Sequence, residues 1–125
     1  MNLTTIRFLV ALKNHSILKK EYLVYRYSKS IMSVIVALYE EGYIQSFKVL
    51  DNNSVYIVLR YYFNKPIFKN LKILSNLSNP KYITLKTLYN IPDSKNTIFI
   101  STVQGILTLS QCKKKKLGGK ALFSC

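Results

Sequence analysis

The first half of the chain contains two stretches in which apolar residues recur every three or four positions. This spacing puts apolar side chains on one side of a helix, so it predicts a helix at residues 3–14. It also predicts a second helix, which Ser28 opens as the N-cap and Gly42 ends. We expect the second helix to bury an apolar stripe made of Ile31, Val34, Ile35 and Leu38.

Strands are predicted between and after these helices. Aromatic and β-branched residues are concentrated at residues 21–27, and polar and apolar residues alternate at 43–49 and 55–62. The polar cluster at 51–54 predicts the turn that joins the last two strands into a hairpin.

The second half of the chain is predicted to be mostly extended. We expect strands at residues 67–74, 82–85, 97–102, 106–108 and 121–123, with turns at 78–81 and 92–94. Val103-Gln104-Gly105 forms a short loop, in which Gly105 occupies the position that tolerates positive φ. Residues 109–116 predict a short basic helix that Gly118-Gly119 closes.

The order of elements is α-β-α-β-β followed by strands and one short helix. Such an order predicts an α+β fold with mixed sheets. Asn64-Lys65-Pro66 interrupts the pattern, so we expect two small lobes, an α/β lobe at residues 1–66 and a β-rich lobe at residues 67–125.

The net charge of the chain indicates what kind of partner it binds. The chain has 19 Lys+Arg against 5 Asp+Glu, a formal net charge of +14, and no acid follows Asp93. So much charge of one sign repels itself unless a polyanion lies nearby, which favours a phosphate backbone as partner over a merely basic surface. The run Lys113–Lys116 is compatible with a targeting signal, a solvated helix face or a phosphate contact, and phosphate contact is the favoured interpretation.

Few residues offer other chemistry. Cys112 and Cys125 have no partnering His or Cys, which fits a reducing compartment and indicates neither a disulfide framework nor a metal site. His15 stands alone and is expected in a surface loop, and the side chains of Glu40 and Glu41 diverge on a helix. We therefore expect no catalytic residue, no cofactor and no small-molecule substrate. No apolar stretch has the length of a membrane span, so we expect no membrane partner.

Five short motifs stand in order along the chain. They are Leu3-Thr4-Thr5-Ile6-Arg7, Glu40-Glu41-Gly42-Tyr43-Ile44, Ser78-Asn79-Pro80, the run Ser101-Thr102-Val103-Gln104-Gly105-Ile106-Leu107-Thr108, and Leu117-Gly118-Gly119. Together they resemble the bacterial-type family of small-subunit ribosomal protein eight, whose motifs include L-T-x-I-R, E-E-G-F-I and S-T-x-x-G. The resemblance spans essentially the whole chain, and the five ordered matches are far more specific than any one of them.

The resemblance implies a two-lobe protein that binds the central domain of small-subunit ribosomal RNA early in subunit assembly, beside neighbouring small-subunit ribosomal proteins. It places the RNA contact on the loop residues Ser101, Thr102, Gln104 and Gly105. By position in the N-terminal lobe it adds Thr4, Arg7 and Lys29. The charge pattern adds Lys113, Lys114, Lys115, Lys116 and Lys120.

The chain also departs from the family pattern. The family usually has an acid after the two glycines, where this chain has Lys120. Residues 92–96 replace a glycine-rich loop. These departures resemble mitochondrial members, and a strong preference for Lys over Arg indicates AT-rich coding. We therefore expect a small ribosomal subunit in the mitochondrial matrix, with a plastid or a bacterial cytoplasm as the alternative.

Two other functions stay open from the sequence. His15 and the basic charge are compatible with a small RNA-processing enzyme, and the charge alone with a free regulatory RNA-binding protein. The tyrosines at positions 22, 25, 27, 61 and 62 are compatible with base stacking, but their alternation with apolar residues favours packing within strands.

Overall fold

A computed structural model describes residues 3–75, 80–92 and 96–125. They form two compact units, Leu3–Asn70 and Leu71–Cys125. Helices and antiparallel sheets both occur, which confirms the α+β class. A 3-10 turn at Ile67–Asn70 stays with the first unit, so the division falls after Asn70, whereas the sequence placed it after Pro66.

The N-terminal unit consists of helices and a three-stranded sheet. Its main elements are α1 (Leu3–Ile17), β1 (Tyr22–Arg26), α2 (Lys29–Glu40), β2 (Ile44–Leu50) and β3 (Ser54–Leu59). The sheet order is β1-β3-β2, and both pairings are antiparallel. Its buried side chains include Phe8, Leu9, Leu12, Leu23, Ile31, Ile35, Leu38, Val55 and Ile57.

Helix α2 follows the sequence prediction closely. The predicted stripe of Ile31, Val34, Ile35 and Leu38 is buried. Ser28 occupies the N-cap without a capping hydrogen bond from its side chain. Gly42 has a φ of +80°. Its N–H donates to Tyr39 O, and the N–H of Tyr43 donates to Leu38 O, so the helix ends in a Schellman motif.

The region after β3 differs from the prediction. The strand expected at 55–62 ends at Leu59, and β4 (Tyr61–Tyr62) pairs with β5 (Lys65–Pro66) instead. Phe63 and Asn64 both have positive φ, as the two central residues of a type I′ hairpin turn require. The Asn-Lys-Pro sequence therefore closes a small hairpin within the N-terminal unit.

The C-terminal unit is a five-stranded sheet with two short helices. Its elements are β6 (Lys72–Ile73), β7 (Lys81–Ile83), α3 (Leu85–Asn90), β8 (Ile98–Thr102), β9 (Gly105–Thr108), α4 (Leu109–Lys115) and β10 (Gly119–Ser124). Strand β10 is central, since it pairs with β6, β7 and β8, and β9 follows β8 at one edge. The helices cover one face, where Leu88, Ile100, Leu109 and Cys112 form a buried cluster.

Several expectations for this half are wrong in detail. The strand predicted at 67–74 is a 3-10 turn followed by the two-residue β6, because Phe68 turns inward and becomes fully buried. The strand predicted at 82–85 stops at Ile83, and the helix α3 follows after the N-cap Thr84, whose hydroxyl accepts the N–H of Thr87. Most of the predicted turns at 78–81 and 92–94 lies outside the described residues.

The helix predicted at 109–116 is α4 (Leu109–Lys115), but the residue that ends it is its C-cap Lys116, in the left-handed conformation, and not Gly118-Gly119. The end of α1 also differs from the prediction. His15 is not in a loop, because α1 extends to Ile17 and His15 lies in its last turn. In the part of the chain that the structure describes, no helix is both long enough and apolar enough to cross a membrane.

Candidate nucleic-acid interface

The predicted contact loop is the turn of the β8–β9 hairpin. Thr102, the last residue of β8, pairs with Gly105, the first residue of β9, which leaves Val103 and Gln104 at the tip. Val103 is 94% exposed, so the turn projects an apolar side chain into solvent. Gly105 has a φ of +107°, a backbone conformation that side chains disfavour, and this explains a glycine at that position.

The Thr102 hydroxyl holds the turn together. Its Oγ1 accepts the N–H of Gln104 at 3.2 Å and donates to the carbonyl oxygen of Gly105 at 2.9 Å. A hydroxyl has one proton to donate, so Thr102 cannot also donate to a phosphate while the turn is closed. Thr102 therefore shapes the loop and keeps one lone pair for a donor such as a 2′-hydroxyl.

Ser101 is the hydroxyl of this loop that remains available. No group among the described residues makes a hydrogen bond with its side chain. Ser101 is opposite Lys120 on β10, and Lys120 is opposite Tyr82 on β7. Residues directly opposite one another in antiparallel strands share a face, with β-carbons about 5 Å apart. A hydroxyl, an ammonium group and a phenol ring therefore form one row across the sheet.

The two glycines before Lys120 allow this row to form. A β-carbon at Gly119 would overlap the carbonyl oxygen of Ser101, and one at Gly118 would lie 2.7 Å from the carbonyl oxygen of Ile83. Only glycine lets the start of β10 approach its neighbours this closely. The motif Leu117-Gly118-Gly119 thus positions Lys120 beside the contact loop.

The lysine run on α4 divides into two kinds of residue. Lys113 is partly buried, and its Nζ donates to the carbonyl oxygen of Ile91 at 2.7 Å. Lys114, Lys115 and Lys116 are exposed. Thr108 and Gln111 form a capping box that starts the helix directly after β9. The helix and its C-cap Lys116 therefore present three outward lysines close in sequence to the hairpin, and Lys113 links α4 to the residue after α3.

The three N-terminal site residues lie in the other unit. Thr4 and Arg7 are exposed on α1, and their spacing of three residues puts them on the same face of that helix. Lys29 is exposed at the first residue of α2. The N-terminal unit thus offers a hydroxyl and two cations at the surface.

The structure adds two surface features that the sequence analysis did not single out. Tyr82 is 72% exposed beside Lys120. Its alternation with Ile83, which packs on the core, is the signal that would have placed it outward. His15, Lys20, Glu21 and Tyr22 help to line an open surface cavity of about 380 Å³. The Nδ1 atom of His15 lies 2.9 Å from the carbonyl oxygen of Ala11, so Nδ1 carries the proton in that hydrogen bond.

Comparison with known families settles the family of the chain. The family model described as ribosomal protein S8 matches residues 5–125. The chain belongs to the ribosomal protein S8 family. This confirms the resemblance drawn from the five motifs, and the S-T-x-x-G loop and the double glycine of S8 both lie within the matched residues.

Individual S8 relatives cover most of the chain. It is 35% identical over 98 residues to the small ribosomal subunit protein uS8m of Acanthamoeba castellanii, covering 77% of each chain. It is 31% identical over 116 residues to uS8 of Buchnera aphidicola, covering 91% of this chain and 89% of the relative. It is 28% identical over 118 residues to uS8c of Oltmannsiellopsis viridis, covering 93% of this chain and 92% of the relative.

Membership in the S8 family gives the protein a structural role in the small ribosomal subunit. It implies a non-enzymatic protein whose partners are ribosomal RNA and other ribosomal proteins.

Proposed function

We propose that the protein binds the central domain of small-subunit ribosomal RNA through its β8–β9 hairpin and supports the folding of that RNA during subunit assembly. The observation that carries the proposal is the available Ser101 hydroxyl, which lies opposite Lys120 at the base of a projecting turn. Tight turns with short hydroxyls can approach 2′-hydroxyls and base edges closely, and RNA is recognised largely through such shape-dependent contacts.

The remaining site residues have a different role in the proposal. Lys114, Lys115, Lys116 and Lys120 contact phosphates, which gives affinity without sequence preference. Gln104 at the turn and Gly105 after it supply side-chain and backbone groups to the RNA. In the N-terminal unit, Thr4, Arg7 and Lys29 contact RNA as a second group. Lys113 has a weaker claim, because its ammonium group already donates to Ile91 O.

The test is binding of the full chain to a central-domain fragment of small-subunit ribosomal RNA, beside an unrelated RNA of equal length, across a salt series. We expect the preference for the fragment to persist at high salt and to fall on Ser101→Ala by about three- to tenfold, as for one lost hydrogen bond. Gln45→Ala, which truncates an exposed side chain on β2, is the matched control. Equal binding to both RNAs, fading together as salt rises, would overturn the proposal.

We further propose a mitochondrial small subunit as the location. The identity to the uS8m relative and the preference for Lys over Arg support it. Fractionation of the source cells tests it: we expect the protein to sediment with mitochondrial small subunits, and co-sedimentation with plastid or cytoplasmic subunits would contradict the proposal.

A further inference from the structure

The sheet of the N-terminal unit has one face that its own helices do not cover. Tyr25 of β1 contacts Phe8 of α1 with ring centroids 5.2 Å apart, and Phe47 of β2 contacts Tyr39 of α2 at 5.5 Å. Both helices therefore pack on the face to which Tyr25 and Phe47 point. Side chains alternate along each strand, so the residues next to these point to the opposite face.

That opposite face carries a pair of stacked tyrosines. Tyr22 on β1 is opposite Val58, and Tyr56 on β3 is opposite Val24, so the two tyrosines are diagonal neighbours. Their ring centroids are 5.0 Å apart and their planes are inclined by only 24°. Tyr22 is 50% exposed and Val24 is 45% exposed. Tyr22 therefore packs against a side chain of the neighbouring strand, as the sequence favoured, and half of its surface also stays open on this face.

Two exposed cations share this face with the pair, and the one acid near it, Glu21, precedes β1 and lines the same open cavity as Tyr22. Arg26 follows Val24 outward along β1, and Lys48 on β2 is directly opposite Tyr56. Both are exposed. None of the outward positions of the three strands holds a carboxylate: they are Tyr22, Val24, Arg26, Ser46, Lys48, Leu50, Ser54, Tyr56 and Val58.

We propose that this face is a further RNA-binding surface, separate from the two groups of residues proposed above. It stacks unpaired bases on Tyr22 and Tyr56 and holds their phosphates with Arg26 and Lys48. We call it the tyrosine platform and define it by these four residues. Bases stack on aromatic side chains of open sheets, and adjacent cations follow the backbone. The charge favours a polyanion as partner, because the platform has two cations and no carboxylate. The net charge of the whole chain, +14, favours the same kind of partner. The proposal rests on RNA as partner, but uses residues separate from the hairpin.

The experiment measures binding of the full chain to a short single-stranded oligouridine and to an RNA duplex of equal length, by fluorescence anisotropy across a salt series. We expect Tyr22→Leu and Tyr56→Leu each to weaken binding of the single strand about tenfold, as for one lost stacking contact. The slope of log affinity against log salt should stay unchanged, because no charge is lost. Duplex binding should not change, since its bases are already stacked.

Matched variants separate stacking from folding. Tyr22→Phe keeps the ring and should retain wild-type affinity. Tyr62→Leu removes a tyrosine that is 68% exposed outside the platform and should have no effect. Arg26→Gln should reduce the salt slope by about one. Photo-crosslinking with 4-thiouridine should label the tryptic peptide of residues 21–26, which contains Tyr22.

The possible results distinguish this proposal from that for the hairpin. Wild-type affinity of both leucine variants for the single strand would overturn the tyrosine platform, whatever Ser101→Ala does to the central-domain fragment. If Tyr22→Leu weakens binding of the single strand while Ser101→Ala leaves binding of the central-domain fragment unchanged, the platform proposal holds and the hairpin proposal is contradicted. If the leucine variants instead lose binding to purified small-subunit proteins and keep RNA affinity, the face docks a protein and the RNA proposal is overturned.

Discussion

Gly119 lies against the backbone of Ser101 so closely that a β-carbon on Gly119 would overlap the carbonyl oxygen of Ser101 and lie 3.0 Å from its carbonyl carbon. The contact joins the central strand β10 to β8, one residue before the pair of Lys120 and Ser101. The double glycine is therefore a packing requirement of the contact loop, and its effect reaches the loop through the backbone.

Gly119→Ala should destabilise the C-terminal unit. The added methyl group forces β10 away from β8, and overpacking of this kind costs about 1–3 kcal/mol. Urea unfolding followed by circular dichroism measures the change. Ser110→Ala, at an exposed position of α4, should alter stability by less than about 0.5 kcal/mol. An unchanged unfolding midpoint for Gly119→Ala would contradict this prediction, because it would mean that β10 can shift away from β8 in the folded protein without loss of stability.

Ser101→Ala and Thr102→Ala should have different consequences. Thr102→Ala removes both hydrogen bonds that close the turn, so it should lower stability by about 1 kcal/mol and weaken RNA binding as well. Ser101→Ala should leave stability unchanged and weaken RNA binding alone. Thr102→Ser keeps the hydroxyl and should behave as wild type. Thermal unfolding and RNA affinity, measured on the same samples, test the difference; equal stability of the two alanine variants would contradict it.

Local patterns were sufficient to predict much of this fold. Helix α2 has an unbroken apolar stripe and a glycine stop, and the β8–β9 hairpin has alternating residues around a turn glycine, so their positions were predictable. Strand β10 was predicted only as a short segment, because its central place depends on pairing with β6, β7 and β8 from distant parts of the chain. Helix α3 was missed because residues 82–85 begin as a strand and the cap at Thr84 changes the conformation within one residue.

In the candidate site, too, the sequence was sufficient for local features and not for contacts between distant residues. The loop residues and Lys120 were found from a family motif and from charge, and the structure places Lys120 opposite Ser101. Lys113 is the lysine of the run that makes a hydrogen bond within the protein, because the carbonyl oxygen of Ile91, the residue after α3, lies beside it. Sequence spacing does not predict that position. The Tyr22–Tyr56 pair joins two strands about 30 residues apart, a diagonal relation that only the strand register defines.

Lys113 and Lys114 should differ although they are adjacent and identical. Lys113→Met loses the hydrogen bond to the carbonyl oxygen of Ile91 and should lower stability by about 1 kcal/mol. Lys114→Met should leave stability unchanged and reduce the slope of log RNA affinity against log salt by about one, because one phosphate contact is lost. Methionine keeps helix propensity similar in both variants. The same stability for both variants would contradict the structural role of Lys113.

Stability should fall at alkaline pH through Cys125. Burial raises the pKa of the Cys125 thiol from the usual 9.0 to about 12. The folded state therefore holds this proton more tightly than the unfolded state, so the stabilisation is complete below pH 9 and is lost as the pH rises towards 12. Burial also raises the pKa of Cys112. Urea midpoints measured from pH 8 to 11 should fall more steeply for wild type than for Cys125→Ala, and parallel profiles would contradict the burial of this thiol.

Phe63→Asn should stabilise the N-terminal unit. Phe63 has a φ of 49° in the two-residue turn between β4 and β5, and left-handed backbone costs a residue such as Phe about 1–2 kcal/mol. Asparagine tolerates this conformation, and Phe63 is 82% exposed, so its replacement removes little buried area. The ring contact with Tyr62, with centroids 4.4 Å apart, is lost, which reduces the expected gain to about 0.5–1 kcal/mol.

Urea unfolding measures this gain, and Tyr62→Asn is the matched control, because Tyr62 precedes the turn on β4 and gains nothing from a residue that tolerates positive φ. That control should lose the same ring contact and be no more stable than wild type. If Phe63→Asn lowers the unfolding midpoint as much as Tyr62→Asn does, the ring pair stabilises the hairpin more than the left-handed backbone strains it.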